Sequence, residues 1–119
     1  MNLTIYHNPS CSKSREALNH LIDKGYQTNV VLYLKNTLNK KQLQKILLQI
    51  DMNAIQLIRK NEDDWKSITD RNGFSENEIL ELLIENPKLI ERPIITNKNS
   101  GVLGRPLEKL INFLKKNKP

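Results

Sequence analysis

Leu3-Thr-Ile-Tyr-His-Asn-Pro-Ser-Cys-Ser-Lys-Ser-Arg15 is the stretch on which the reading of this chain turns. Its first four residues are apolar or β-branched and read as a strand. His7-Asn-Pro-Ser10 is rich in turn formers and breaks that strand. From Ser12 the pattern changes period: Ala17, Leu18, Leu21 and Ile22 recur at helical spacing, and Lys24-Gly25 supplies a C-terminal stop. Asn29-Val-Val-Leu-Tyr33 follows as a buried second strand. Strand, helix and strand make a βαβ unit, with Cys11 at the strand-to-helix junction.

Outward from that unit the chain becomes helical. Leu38 to Ile50 is amphipathic, with Leu43, Ile46, Leu47 and Ile50 on one face. Asn53 is placed to cap a short helix through Ile58, and Asp63 to Ile68 reads as another. Ser75-Glu-Asn-Glu78 is a capping box opening a helix that ends at Asn86-Pro87. Ile94-Ile-Thr96 and Gly101-Val-Leu103 then form a hairpin around Asn97-Lys-Asn-Ser100. Pro106 fits the first turn of a last helix, with Leu107, Leu110, Ile111 and Leu114 facing inward. The expected class is α/β: a thioredoxin-like, four-stranded mixed sheet in a single domain over 1–119, with a helical insertion at about 38–86.

Bulk properties narrow the function. The 119 residues suit one ordinary core, and 38% are hydrophobic. No run of about 18 apolar residues occurs, so no membrane span is expected. The first strand begins almost at once, which leaves no room for a signal peptide. A single cysteine excludes an internal disulfide and points to the cytoplasm. The net charge of +6 (19 Lys+Arg against 13 Asp+Glu) suits anionic partners, but equally a solvated lysine-rich surface. Two separated histidines and one cysteine do not make a zinc site, and no glycine-rich phosphate loop is present. Trp65 reads as an anchor of the insertion; His20 and Arg71 read as surface residues.

Cys11 carries the chemistry. The free amides and dipole at a helix start favour an anion, and thiols there ionise at about pH 3.5–7.5 against roughly 8.5 when free. Lys13, Arg15 and His7 offer positive charge nearby, and Ser12 and Ser14 offer hydroxyls. A lone cysteine more often fills space, but polar neighbours at a strand-to-helix turn favour reactivity. Cysteine phosphatases place an arginine six positions after the nucleophile; Ala17 stands there, so that reading fails. Dithiol redox loops need a second cysteine three positions on, where Ser14 stands. His7 has two readings, as a group that positions the loop or lowers the Cys11 pKa, or as a partner for backbone groups in the turn.

Tyr6-His-Asn-Pro-Ser-Cys-Ser-Lys-Ser-Arg15 resembles the active-site signature of the glutaredoxin-coupled arsenate reductases, in which Ser12-Lys13 replaces a commoner Gly-Thr. Leu57-Ile-Arg-Lys-Asn61, Glu91-Arg-Pro-Ile94 and Gly104-Arg-Pro106 fall in the same order, so the likeness spans nearly the whole chain. It implies that Cys11 is the nucleophile, with His7, Ser14 and Arg15 beside it. It assigns oxyanion binding to Arg59, Arg92 and Arg105, a task that suits a planar fork with a permanent charge. Arg92-Pro93 matches the place where thioredoxin-like folds hold a cis proline facing the nucleophile. The resemblance further implies arsenate as substrate, glutathione as co-substrate and glutaredoxin as partner. A monomer is expected, with no bound cofactor, no metal and no nucleic acid. The competing reading is a regulator of the Spx type that binds RNA polymerase, though its usual Cys-x-x-Cys switch is missing. A thiol-binding relative without arsenate activity is a third.

Overall fold

The computed structural model describes residues 2–67 and 73–117. Arg71 and Ile68, the last residue of the helix expected from Asp63, lie outside the described residues. The elements run β1 (Asn2–Tyr6), α1 (Ser12–Asp23), β2 (Gln27–Val31), α2 (Lys40–Ile50), a 3-10 turn (Ala54–Leu57), α3 (Asp63–Lys66) and α4 (Glu76–Glu85). A second 3-10 turn (Pro87–Leu89), β3 (Ile94–Thr96), β4 (Gly101–Leu103) and α5 (Leu107–Lys116) complete the order. No helix among the described residues is long and apolar enough to cross a membrane.

The sheet has the order β2-β1-β3-β4. β1 pairs in parallel with β2 and antiparallel with β3, and β3 pairs antiparallel with β4. Side-chain alternation divides the core in two. Leu3, Ile5 and Ile95 face Ala17 and Leu21 of α1 and Leu110, Phe113 and Leu114 of α5. Ile94 faces the inserted helices on the other side, with Leu43, Ile46, Leu57, Ile79 and Leu83, and Tyr6 and Leu103 pack there. Each fully buried Leu or Ile contributes about 1.5–3 kcal/mol relative to exposure. The mixed four-stranded sheet with its helical insertion is the architecture expected.

The insertion carries its own start signals. Asn39 caps α2 in a box with Gln42, Asn53 caps the first 3-10 turn in a box with Gln56, and Ser75 caps α4 in a box with Glu78. Leu43, Ile46, Leu47 and Ile50 are all buried, as their spacing requires. Trp65 is 5% exposed and sits in the same cluster.

Some local expectations shift. β2 begins and ends two residues earlier than the apolar run Asn29–Tyr33. It is one of the two edge strands, and Val30 is 42% exposed instead of buried. Tyr33 lies beyond the strand yet is only 1% exposed. On α1, Ile22 points outward at 59% exposure, off the stripe of Ala17 and Leu21. His20 is half-buried rather than solvent-facing. Pro106 is the residue before α5 and not its first turn, and Phe113 takes the core position given to the half-buried Ile111.

Candidate active site

The loop joining β1 to α1 is held by one bond to β2 and otherwise by bonds between near neighbours. His7 N–H donates to Val31 O at 2.9 Å, which ties the start of the loop to the end of β2. Asn8 Oδ1 accepts the Ser10 N–H at 3.0 Å, and Asn8 O accepts the Cys11 N–H at 3.0 Å. Ser14, fully buried, accepts the Asn8 N–H at 3.0 Å on its Oγ, which also lies 2.6 Å from His7 Nδ1. The serine has one proton to give, and a neutral imidazole accepts it. His7 is held below its ordinary pKa by burial, and secondarily by the Arg15 guanidinium. Arg15 itself donates to Pro9 O at 2.8 Å on the exposed side of the loop.

Cys11 is the residue before α1, in extended conformation, and its thiol is half-buried. No amide caps it at full hydrogen-bond geometry. Burial alone would raise its pKa. The backbone of Ser14, the side chain and charge of Arg92 and the backbone of Lys13 outweigh that, and the thiol ionises more readily than an ordinary cysteine. The helix-start effect is therefore present, but the guanidinium facing the sulfur comes from Arg92, across the fold. That is a correction to the positive charge expected of His7, Lys13 and Arg15.

The arginine side is assembled over long sequence distances. An antiparallel bridge joins Ile58 to Ile90. Arg59 N–H donates to Leu89 O at 2.7 Å, and Glu91 N–H donates to Leu57 O at 2.8 Å. Arg59 is thereby set opposite Glu91, next to Arg92. Its Nε reaches Glu91 Oε1 at 3.2 Å and its Nη1 reaches Glu62 Oε1 at 2.6 Å. Gly104 N–H donates to Pro93 O at 2.8 Å. A Cβ at Gly104 would lie 2.7 Å from Ile95 Cδ1, so a larger residue there would require the Ile95 side chain to shift. It brings Arg105 beside the other strand of the hairpin, where Nη1 donates to Arg92 O at 3.3 Å. The Arg92-Pro93 and Arg105-Pro106 peptide bonds are both cis, the first as the sequence led one to expect.

Tyr33, Glu62, Glu91 and Asn8 were not among the candidates drawn from the sequence. Burial pushes the Tyr33 hydroxyl up to about 12, and the charges acting on it are those of Arg92, Cys11, Arg59 and Glu91. Its signal was hidden inside a strand-like run. Glu91 stands directly before the Arg92-Pro93 pair, where an acidic neighbour was legible but its partner was not.

Fold and site together define a thioredoxin-like protein with a single activated thiol at a helix start. The chain belongs to the ArsC family, whose model matches residues 6–113. Among curated relatives, the uncharacterised protein YfgD of Escherichia coli strain K12 is 39% identical over 92% of this chain and 94% of its own length. The arsenate reductase of Haemophilus influenzae is 37% identical over 96% of this chain and 100% of its own. Among solved structures, an arsenate reductase from Vibrio cholerae superposes with a TM-score of 0.89 at 33% identity, covering 94% of this chain and 97% of that one.

Proposed function

We propose that this chain is an arsenate reductase of the cytoplasm, with Cys11 as nucleophile and Arg59, Arg92 and Arg105 as the cations that hold the substrate. The observation that carries the reading is the Cys11 thiol, lowered in pKa by the start of α1 and by Arg92 despite its burial. Membership of a family with relatives named arsenate reductase supports the choice of substrate. His7, Ser14 and Arg15 act as positioning residues that keep the loop in shape beneath the thiol.

The thiolate attacks arsenic(V) and displaces one oxygen, which leaves as water, to give a sulfur–arsenic bond. Arginine and amide donors stabilise the charge on the remaining oxygens. The chain has one cysteine, so the next thiol must come from outside. Glutathione attacks the Cys11 sulfur. The electron pair of the sulfur–arsenic bond stays on arsenic, arsenite departs, and a mixed disulfide remains. Glutaredoxin then removes the glutathione and restores the free thiol.

The test is arsenite production by purified protein given arsenate, glutathione and glutaredoxin. Sustained turnover is expected, with none in Cys11→Ser, whose hydroxyl is too weakly acidic to supply the nucleophile. Thioredoxin as the sole thiol source is expected to support little. Equal turnover with thioredoxin alone would remove glutathione from the scheme.

A further inference from the structure

Among the described residues, two side-chain polar atoms are buried without any hydrogen-bond partner: Tyr33 Oη and Arg92 Nε. Leaving such donors unmet is unfavourable, and native proteins keep few of them, often at sites that a ligand completes. Both lie on the thiol side of the fold. Arg92 faces Cys11 directly, and the Tyr33 hydroxyl responds to the charges of Arg92, Cys11 and Arg59. Tyr33 is fixed there by its surroundings. Val31 O is bonded to His7 N–H, and Leu32 O accepts the N–H groups of Lys35 and Asn36 at 3.0 and 2.9 Å. The backbone just before Tyr33 is therefore tied to the nucleophile loop, and its ring sits in the packed cluster of the inserted helices.

We propose that Tyr33 is a further substrate-binding residue, whose hydroxyl and Arg92 Nε together receive one oxygen of the bound tetrahedral oxyanion. The inference rests on the reading of Cys11 and the arginines as an oxyanion site. Tyr33 keeps its proton throughout the working pH range, so it offers a donor and never a competing negative charge. Oxygen reaches the pair by a turn of the Arg92 guanidinium, whose Nη1 contact to Lys88 O is long at 3.5 Å. A neutral donor and a charged donor on one oxygen suit a dense, multiply charged oxyanion.

The experiment is Tyr33→Phe, which keeps the ring and its packing and deletes only the unpartnered hydroxyl. Its melting temperature should equal or exceed that of the wild type, because no hydrogen bond is lost in the free protein. Cys11 alkylation by iodoacetamide is then followed as arsenate is added. Arsenate should protect the wild-type thiol, and the half-protecting concentration should rise about 10- to 100-fold in Tyr33→Phe, as loss of one bond to a charged group implies. The KM for arsenate should rise in step, with kcat changed less. Equal protection in the two proteins, or no protection of the wild type, would overturn the proposal. Protection without arsenite production would count against the reductase reading and leave the hydroxyl's role standing.

Discussion

The two halves of the site are built in opposite ways. On the thiol side, the bonds among His7, Asn8, Ser10, Cys11 and Ser14 join residues seven or fewer positions apart. On the arginine side, Arg59 meets Glu91 across 32 positions and Arg105 meets Arg92 across 13. The first half forms from a local run of residues. The second exists only once the insertion has docked on the segment before β3 and the hairpin has closed. One half shapes the thiol's loop and lowers its pKa through the Ser14 and Lys13 backbone, and the other adds the guanidinium of Arg92.

The sharpest way to break this division is Arg92→Ala. Catalytic efficiency should fall by about 100- to 1,000-fold, the range seen when a preorganised donor to a developing oxyanion is removed. The alkylation-rate profile of Cys11 should move to higher pH at the same time. A profile left in place would mean that the loop alone activates the thiol.

Ser14→Ala tests the other half. It strands the Asn8 N–H and His7 Nδ1 in a buried place, at a cost of about 1–3 kcal/mol in denaturant unfolding. An unchanged midpoint would show that the two groups find other partners.

A smaller effect concerns pH. His7 has a lowered pKa in the folded chain, so the unfolded chain takes up the proton more readily. The stability that this imidazole contributes is complete above the unfolded value of about 6.5 and is lost as pH falls toward the folded one. His7→Asn should flatten the acid side of the stability curve relative to wild type. Parallel curves would mean that the imidazole reaches solvent in both states.

The smallest expected change is in Glu91→Gln. The carboxylate competes with any anion for Arg59, through a partly exposed pair of the kind worth about 0.2–1 kcal/mol. The KM for arsenate should drop by about 1.4- to 5-fold. A rise would show that Glu91 serves chiefly to aim the guanidinium.

The same division explains what could be read in advance. Cys11 at a helix start, the Ser75 box and the stripe of α2 are local patterns, and each was legible. The convergence of Arg92 on the sulfur was not, because no short-range pattern encodes a contact made through sheet topology. It came from resemblance, not from spacing. β2 misled for a related reason: the run Val30 to Tyr33 has the hydrophobicity of a central strand, whereas its burial depends on its place in the sheet. Tyr33 was lost inside that run, and its hydroxyl acquires meaning only beside Arg92.

The position of β2 at the rim of the sheet has a further consequence. Its outward backbone groups have no neighbouring strand, and an open edge of this kind is a template on which another chain can add. Val30 lies exposed on it and Leu34 lies exposed beyond its end, which would favour such an addition. Two features oppose it. The strand is only five residues long, and the exposed lysines Lys24 and Lys35 stand just beyond its two ends, so that incoming copies meet like charge. Like charge at both ends of a short edge strand is a general device by which a sheet discourages pairing between copies.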